Sequence, residues 1–279
     1  MKQAALTLAA VAGLAMAALA AGASAGPPLP RPAASPGPPL PRPAANAGPP
    51  LARPAATAAG PAADGRAAAA PRVRQLVVFR DGSAAASTVS TRATRVRVEG
   101  RRCAVGDRTA LAALARSRPG RLRLRDFGSC SSRPRDSAGL FVRGIRSDVN
   151  RGQDGWVYKV GRRAATAGAA DPTGPFGRGR LKARQRITWF YCRLRDGGCQ
   201  RTLELTTRSE PGTLIAMVRG YDDQGRGMPV EGATVTAGGA TALTDSSGEA
   251  RLALPPGSYR AVAAKDGLVR SFAERVEVP

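Results

Sequence analysis

Three copies of an 11-residue proline-rich repeat follow one another without a break, opening at Gly26, Gly37 and Gly48, each beginning Gly-Pro-Pro-Leu and running on through Arg-Pro-Ala-Ala. Proline fixes φ and has no amide proton to donate, so this stretch cannot pack into a core and should sample polyproline II. At about 3.1 Å per residue it reads as a semi-rigid spacer. Its Pro-x-x-Pro-Arg pattern also fits an SH3 ligand, but in an exported chain a spacer is the stronger reading. Residues 26–72 are therefore expected to be a disordered linker, with folded structure starting near Arg72.

What precedes the repeats looks like an export signal. Lys2 supplies the positive end, residues 4–21 are apolar apart from Thr7 and Gly13, and Ala23-Ser24-Ala25 gives a small-x-small cleavage pattern. Residues 1–25 are expected to be removed, leaving Gly26 first. The competing reading is an uncleaved anchor, against which stand the alanine-rich, leucine-poor composition and the adjoining small-residue site. No cysteine near that site offers a lipid attachment point, and Arg275-Val276-Glu277-Val278-Pro279 carries no apolar tail or sorting motif. The mature chain is expected to be secreted, associated with the cell envelope and without a transmembrane segment.

Four cysteines, Cys103, Cys130, Cys192 and Cys199, suit an oxidising compartment. Three pairings are possible. Cys192 and Cys199 flank the turn-rich Arg193-Leu194-Arg195-Asp196-Gly197-Gly198, where a hairpin brings them within bridging distance, which leaves Cys103 with Cys130. A zinc site competes weakly, because no pair has close ligand spacing and the chain has no histidine; no metal site is expected.

Charge is unevenly distributed. The chain is formally +23; residues 73–208 carry about +20 of this, while residues 209–279 hold seven basic and nine acidic groups. A basic domain attracts polyanions, which outside a cell means wall polymers, anionic head groups or stray nucleic acid, with no motif for a specific nucleic-acid contact. Only four of the 43 basic residues are lysine, as in arginine-rich proteins of GC-rich genomes, yet that bias does not explain a tail that is not basic.

Residues 74–79, 94–98, 121–125, 140–142, 156–160, 187–192 and 200–206 read as strands, and residues 109–117 as the one helix, capped by Asp107 or Thr109 and stopped by Pro119. This makes residues 73–208 one strand-rich domain with a long Gly/Ala-rich loop over 164–182, either a functional rim or an insertion. Residues 209–279 hold short strands, the last over 269–278, separated by Asp223-Gln224-Gly225, Asp245-Ser246-Ser247-Gly248 and Pro255-Pro256-Gly257, spacing that predicts a small all-β sandwich.

Two local patterns resemble known families. Gly155-Trp156-Val157-Tyr158-Lys159-Val160 and Ile187-Thr188-Trp189-Phe190-Tyr191, preceded by the helix and by Leu140-Phe141-Val142 with Ile145, make residues 73–208 similar to transcobalamin C-terminal-like domains of bacterial surface proteins. That resemblance implies an α+β fold of β-grasp-like character; corrinoid binding belongs to animal members. Gly232-Ala233-Thr234-Val235, Thr244-Asp245-Ser246-Ser247-Gly248 and Leu254-Pro255-Pro256-Gly257-Ser258-Tyr259 make residues 214–279 resemble carboxypeptidase regulatory-like or transthyretin-like sandwiches, which imply a stalk, spacer or accessory role.

Without histidine, neither a Ser-His-Asp triad nor a His-activated cysteine can be built, and no nucleophile elbow, phosphate-binding loop or distinctive carboxylate pair occurs, so no catalytic residues are expected. Trp156, Tyr158, Trp189 and Tyr191 share a face within each strand. They are either a flat platform for a ring, sugar or corrinoid, or core filling. Arg178, Arg180, Lys182, Arg184 and Arg186 would form one basic stripe if extended. The expected function is a non-enzymatic cell-envelope protein that displays a basic ligand-binding domain on its spacer, with an anionic wall polymer or a surface protein as partner. The alternatives are a carrier of a corrinoid or other small planar ligand, and a stalk or adhesin.

Overall fold

The first strand, β1 (Arg72–Val78), ends in the apolar run Leu-Val-Val, which is stable only when both faces of its sheet are covered. The computed structural model describes residues 69–279 and shows what covers them. The expected signal peptide and all but the last residues of the expected linker lie outside the described residues.

β1 forms a hairpin with β2 (Ala84–Ser90). β3 (Thr94–Val98) and β4 (Arg101–Val105) make a separate two-stranded ladder, followed by helix α1 (Ala110–Ser117). β5 (Leu122–Asp126), β6 (Leu140–Ile145) and β7 (Asp148–Val149) form a three-stranded sheet. The chain then returns through β8 (Gly155–Val160), β9 (Arg163–Ala164) and β10 (Arg186–Cys192) to give a first sheet ordered β2-β1-β10-β8-β9, with β1 and β10 parallel at its centre. Thr109 caps α1 by accepting a hydrogen bond from the Ala112 amide at 3.2 Å, and Arg118 ends it in a left-handed conformation just before Pro119. The buried Leu111 and Leu114 of α1 face β1, β2 and β3. Both expected disulfides are present, Cys103–Cys130 and Cys192–Cys199, each expected to contribute about 3 kcal/mol by restricting the unfolded chain.

The loop over 164–182 has no regular structure beyond its first residue but is packed. Ala170 and Leu181 are buried, and the amides of Leu111 and Leu181 donate to Ala169 O at 2.7 Å and Arg108 O at 3.0 Å. Its small side chains let the backbone lie close against the aromatic core.

The rest of the chain forms two four-stranded sheets. One contains β11 (Thr202–Glu210), β12 (Thr213–Tyr221), β13 (Gly227–Pro229) and β16 (Glu249–Ala253), with β13 and β16 sharing one edge of β12. The other is ordered β15 (Ala240–Leu243), β14 (Thr234–Ala237), β17 (Gly257–Ala264), β18 (Glu274–Val278). A single apolar cluster, with Leu205, Leu214, Val218, Val235, Ala263 and Val276 among its members, lies between them. Gly248 closes the turn into β16 at φ +82°, where an added Cβ would meet Val218 O at 2.5 Å.

Two expectations are corrected. The strand expected at 200–206 in the middle domain is β11, paired over its whole length with β12 of the tail. The strand expected over 269–278 is regular only in β18. Val269 and Phe272 lie instead on the second face of the first sheet, against Leu76, Val78 and Phe190. That is how a sheet with α1 on one side gains cover on the other.

Polar contacts fix this junction. Arg74 and Arg186 both lie over the Phe272 ring, at 5.3 and 5.5 Å, and both pair with Glu274, at 3.2 and 2.8 Å. Arg162 makes a two-pronged contact with Glu204 at 2.6 and 2.8 Å. Lys159 of β8, 0% exposed, donates to Tyr221 O at 3.0 Å and Asp222 O at 2.9 Å, with the Asp223 carboxylate at 3.3 Å. Burial pulls this ammonium below the ordinary lysine range, and Asp223 opposes the shift.

Lys159→Met would leave two carbonyls without their donor and a carboxylate without its counter-charge. It is expected to lower unfolding free energy by about 3 kcal/mol, read from the denaturant midpoint. A variant as stable as the parent would show that the contact contributes nothing. A second test uses pH. The Ser129 amide holds Asp126 below its ordinary 3.8, the Ser247 hydroxyl does the same for Asp245, and the Arg162 hydrogen bond holds Glu204 below 4.5. Folded values below unfolded ones mean stability that is complete above about pH 5 and lost as pH falls through the folded values. Urea midpoints should therefore be level from pH 7 to 5 and drop below pH 4.

Candidate functional site

Alternation along β8 and β10 sends Trp156, Tyr158, Trp189 and Tyr191 to one face of the first sheet, and their register sets Trp156 opposite Tyr191 and Tyr158 opposite Trp189. Tyr158 and Trp189 stack with centroids 4.9 Å apart, while Trp156 meets Tyr191 and Phe79 edge-on at 6.1 and 5.9 Å. All four are buried in the core beneath α1, so they do not form an open platform. Three polar ends are satisfied by backbone carbonyls: Trp156 Nε1 by Asp148 at 2.9 Å, Tyr191 OH by Val149 at 3.0 Å, and Tyr158 OH by Ala167 at 3.0 Å. Burial pushes the Tyr158 phenol up and keeps it neutral. The fourth, Trp189 Nε1, is buried without an acceptor.

Trp156, Tyr158 and Trp189 do reach one opening. An apolar cleft of about 420 Å³ runs between them, β6 and the first turn of the 164–182 loop. Its rim carries Phe127 and Phe141, 64% and 44% exposed and edge-on to each other at 6.2 Å. Neither phenylalanine was singled out from sequence; the signal available was Phe141 replacing a polar residue on the outward side of an alternating strand. A larger, more polar cleft of about 690 Å³ lies beside Arg80, Arg193 and the 264–270 turn, and none of its lining side chains has a buried polar atom without a partner.

The expected stripe of Arg178, Arg180, Lys182, Arg184 and Arg186 does not form on one strand. The first four are exposed on irregular backbone, Arg180 is held by Asp107 at 3.3 Å, and Arg186, alone in a strand, is turned toward Glu274. Buried Leu181 and the left-handed Arg184, φ +64°, break the extended geometry that a stripe requires.

A different basic surface is built. Arg95 and Arg97 of β3, Arg102 of β4, Arg123 and Arg125 of β5, and Arg143 of β6 all project away from the core into which their neighbours Val96, Val98, Leu124 and Val142 are buried. β3 lies next to β5, so the two ladders adjoin. Among the described residues none of these six has an acidic partner within ion-pair distance; the nearby Asp126 carboxylate is taken by Arg101 at 2.7 Å. Arg97 stands directly opposite Arg102, an arrangement of like charges that costs stability.

Compared with known proteins, the chain matches no family model, no curated protein and no solved structure.

The Tyr158 hydroxyl also lies 3.3 Å from Gly168 O, so it fastens the cleft's loop wall at two carbonyls. Tyr158→Phe is expected to speed amide hydrogen exchange across residues 164–170 several-fold while the tail strands keep their rates. Unchanged exchange would show that packing alone holds the loop.

Proposed function

We propose that this chain is an exported, non-enzymatic binding protein of a bacterial cell envelope, and that its arginine face on β3–β6 holds an anionic wall polymer. The observation that carries the reading is six strand-borne arginines on adjoining ladders without acidic partners, including one like-charge pair directly opposite each other. Arginine pairs with phosphate and carboxylate groups in two-pronged fashion and is always charged, which suits a repeating polyanion. Two disulfides, and no helix long and apolar enough to cross a membrane among the described residues, are compatible with an extracellular protein.

The β-grasp-like reading of the middle domain is supported by the strand order β2-β1-β10-β8-β9, with a hairpin leading into a central parallel pair and α1 packed across it. The sandwich reading of the tail is supported by two four-stranded sheets sharing one core. A corrinoid platform gains no such support, because the four aromatic rings are closed into the core. A stalk or adhesin would use the same arginine contact and differs only in lacking a small ligand.

Titration with a poly(glycerol phosphate) wall polymer tests the proposal. With about four phosphates engaged, affinity should fall about 50- to 100-fold between 50 and 200 mM salt by counterion release. Arg97→Gln with Arg102→Gln should reduce the slope by about two, whereas Arg178→Gln with Arg184→Gln should leave it nearly unchanged. Salt-insensitive binding, or no response to the Arg97/Arg102 pair, would overturn it.

A further inference from the structure

We infer that the cleft beside Trp189 binds a small anionic amphiphile, its apolar body inside and its anionic group at the arginine rim. Its apolar half rests on observations separate from the polymer reading, and its charged half shares Arg125 and Arg143 with that reading. The cleft, about 420 Å³ and mostly apolar in its walls, falls in the range of small-molecule sites. At its rim Phe127 and Phe141 stay exposed although they are large and apolar, and together they extend the apolar surface outward.

Charge identifies the other half of the ligand. Arg125 lies directly opposite Phe141 in the β5–β6 register, and its guanidinium sits 5.0 Å from the centre of the Phe127 ring. Arg143, two residues from Phe141, projects from the same face of β6. Neither arginine has an acidic partner among the described residues. A neutral apolar ligand would fill the cleft and leave these two charges unused, whereas an anionic head group meets both. The class that fits is therefore an apolar chain or ring with one phosphate or carboxylate.

The chain reports on this site itself, because Trp156 and Trp189 are its only tryptophans and both line the cleft. The probe is a monoacyl glycerol phosphate with a ten-carbon chain, compared with an uncharged sugar ester of the same chain, both kept below micelle-forming concentrations. A saturable one-to-one change in tryptophan emission is expected, with the neutral probe about tenfold weaker. Arg125→Gln with Arg143→Gln should erase that difference. Phe127→Ser with Phe141→Ser should weaken both probes about tenfold; these side chains are exposed, and an unchanged melting temperature would show the fold intact. No saturable change, equal affinity for the two probes, or a change only above the micelle threshold would overturn the inference. Glycerol phosphate without a chain should not compete; if it does, the site is for a free phosphate and the inference fails. Arg97→Gln with Arg102→Gln should leave probe binding unchanged, so loss of polymer binding and loss of this site can be told apart.

Discussion

Covering both faces of the β1–β10 sheet is the requirement on which the rest of the structure depends, and Lys159 marks where it is met. β8 sends its aromatic side chains to the α1 side, so its alternate residues, Val157 and Lys159, must face the tail. A lysine there would be costly to bury alone. The turn after β12 compensates by presenting two carbonyls and a carboxylate to one ammonium. Two of its N–H donors meet the carbonyls and the carboxylate pairs with its charge at 3.3 Å, an arrangement that needs no planar fork of the kind an arginine presents. Desolvation still outweighs the carboxylate in setting its proton affinity, so the net gain from the pair is smaller than its contacts alone suggest.

The arginine excess therefore divides into two populations. On the tail side, Arg74, Arg162 and Arg186 are matched to Glu204 and Glu274, and two of them are flattened on Phe272. Those acids come from β11 and β18, so the tail supplies the counter-charge that the middle domain lacks. On β3–β6 Asp126 matches only Arg101, and among the described residues the other six arginines face outward without an acidic partner. Exposed ion pairs are worth little individually. The distinction that matters is geometric: one set is spent on internal docking, and the other remains available to an external anion.

Much of this was legible in the sequence. Alternation gave β3, β5 and β8, the Thr109–Pro119 bracket gave α1, and the hairpin argument gave both disulfides. β2, Ala-Ala-Ala-Ser-Thr-Val-Ser, was not legible, because it borrows its strand character from pairing with β1. β11 was assigned to the wrong partner for a related reason: pattern reveals a strand but not its neighbour. The basic stripe failed because the residues that alternate with its charges, Gly179, Leu181, Ala183 and Gln185, include one large apolar side chain, too little of an apolar face to hold it extended. Part of the true basic face lay on strands expected from sequence, where Val96 and Val98 alternate with Arg95 and Arg97, but β4 with Arg102 was not expected. The cleft was hidden because segments spread from Phe127 to Asp223 make it and its loop wall is merely Ala and Gly in sequence.

Asp223 connects these parts. Its carbonyl accepts from the Ala164 amide at 2.9 Å, one carboxylate oxygen accepts from the Cys199 amide at 3.0 Å, and the other faces Lys159. Ala164 begins the loop wall of the cleft, Cys199 closes the second disulfide, and Lys159 belongs to the strand that carries Trp156 and Tyr158. The cleft is therefore bounded at one end by the same residue that docks the tail. A ligand entering past Phe141 meets walls fixed from behind by the junction, which is the condition for a site shaped before binding. The tail thus acts on the cleft without touching the rim: by holding Asp223, it holds the start of the loop against β8.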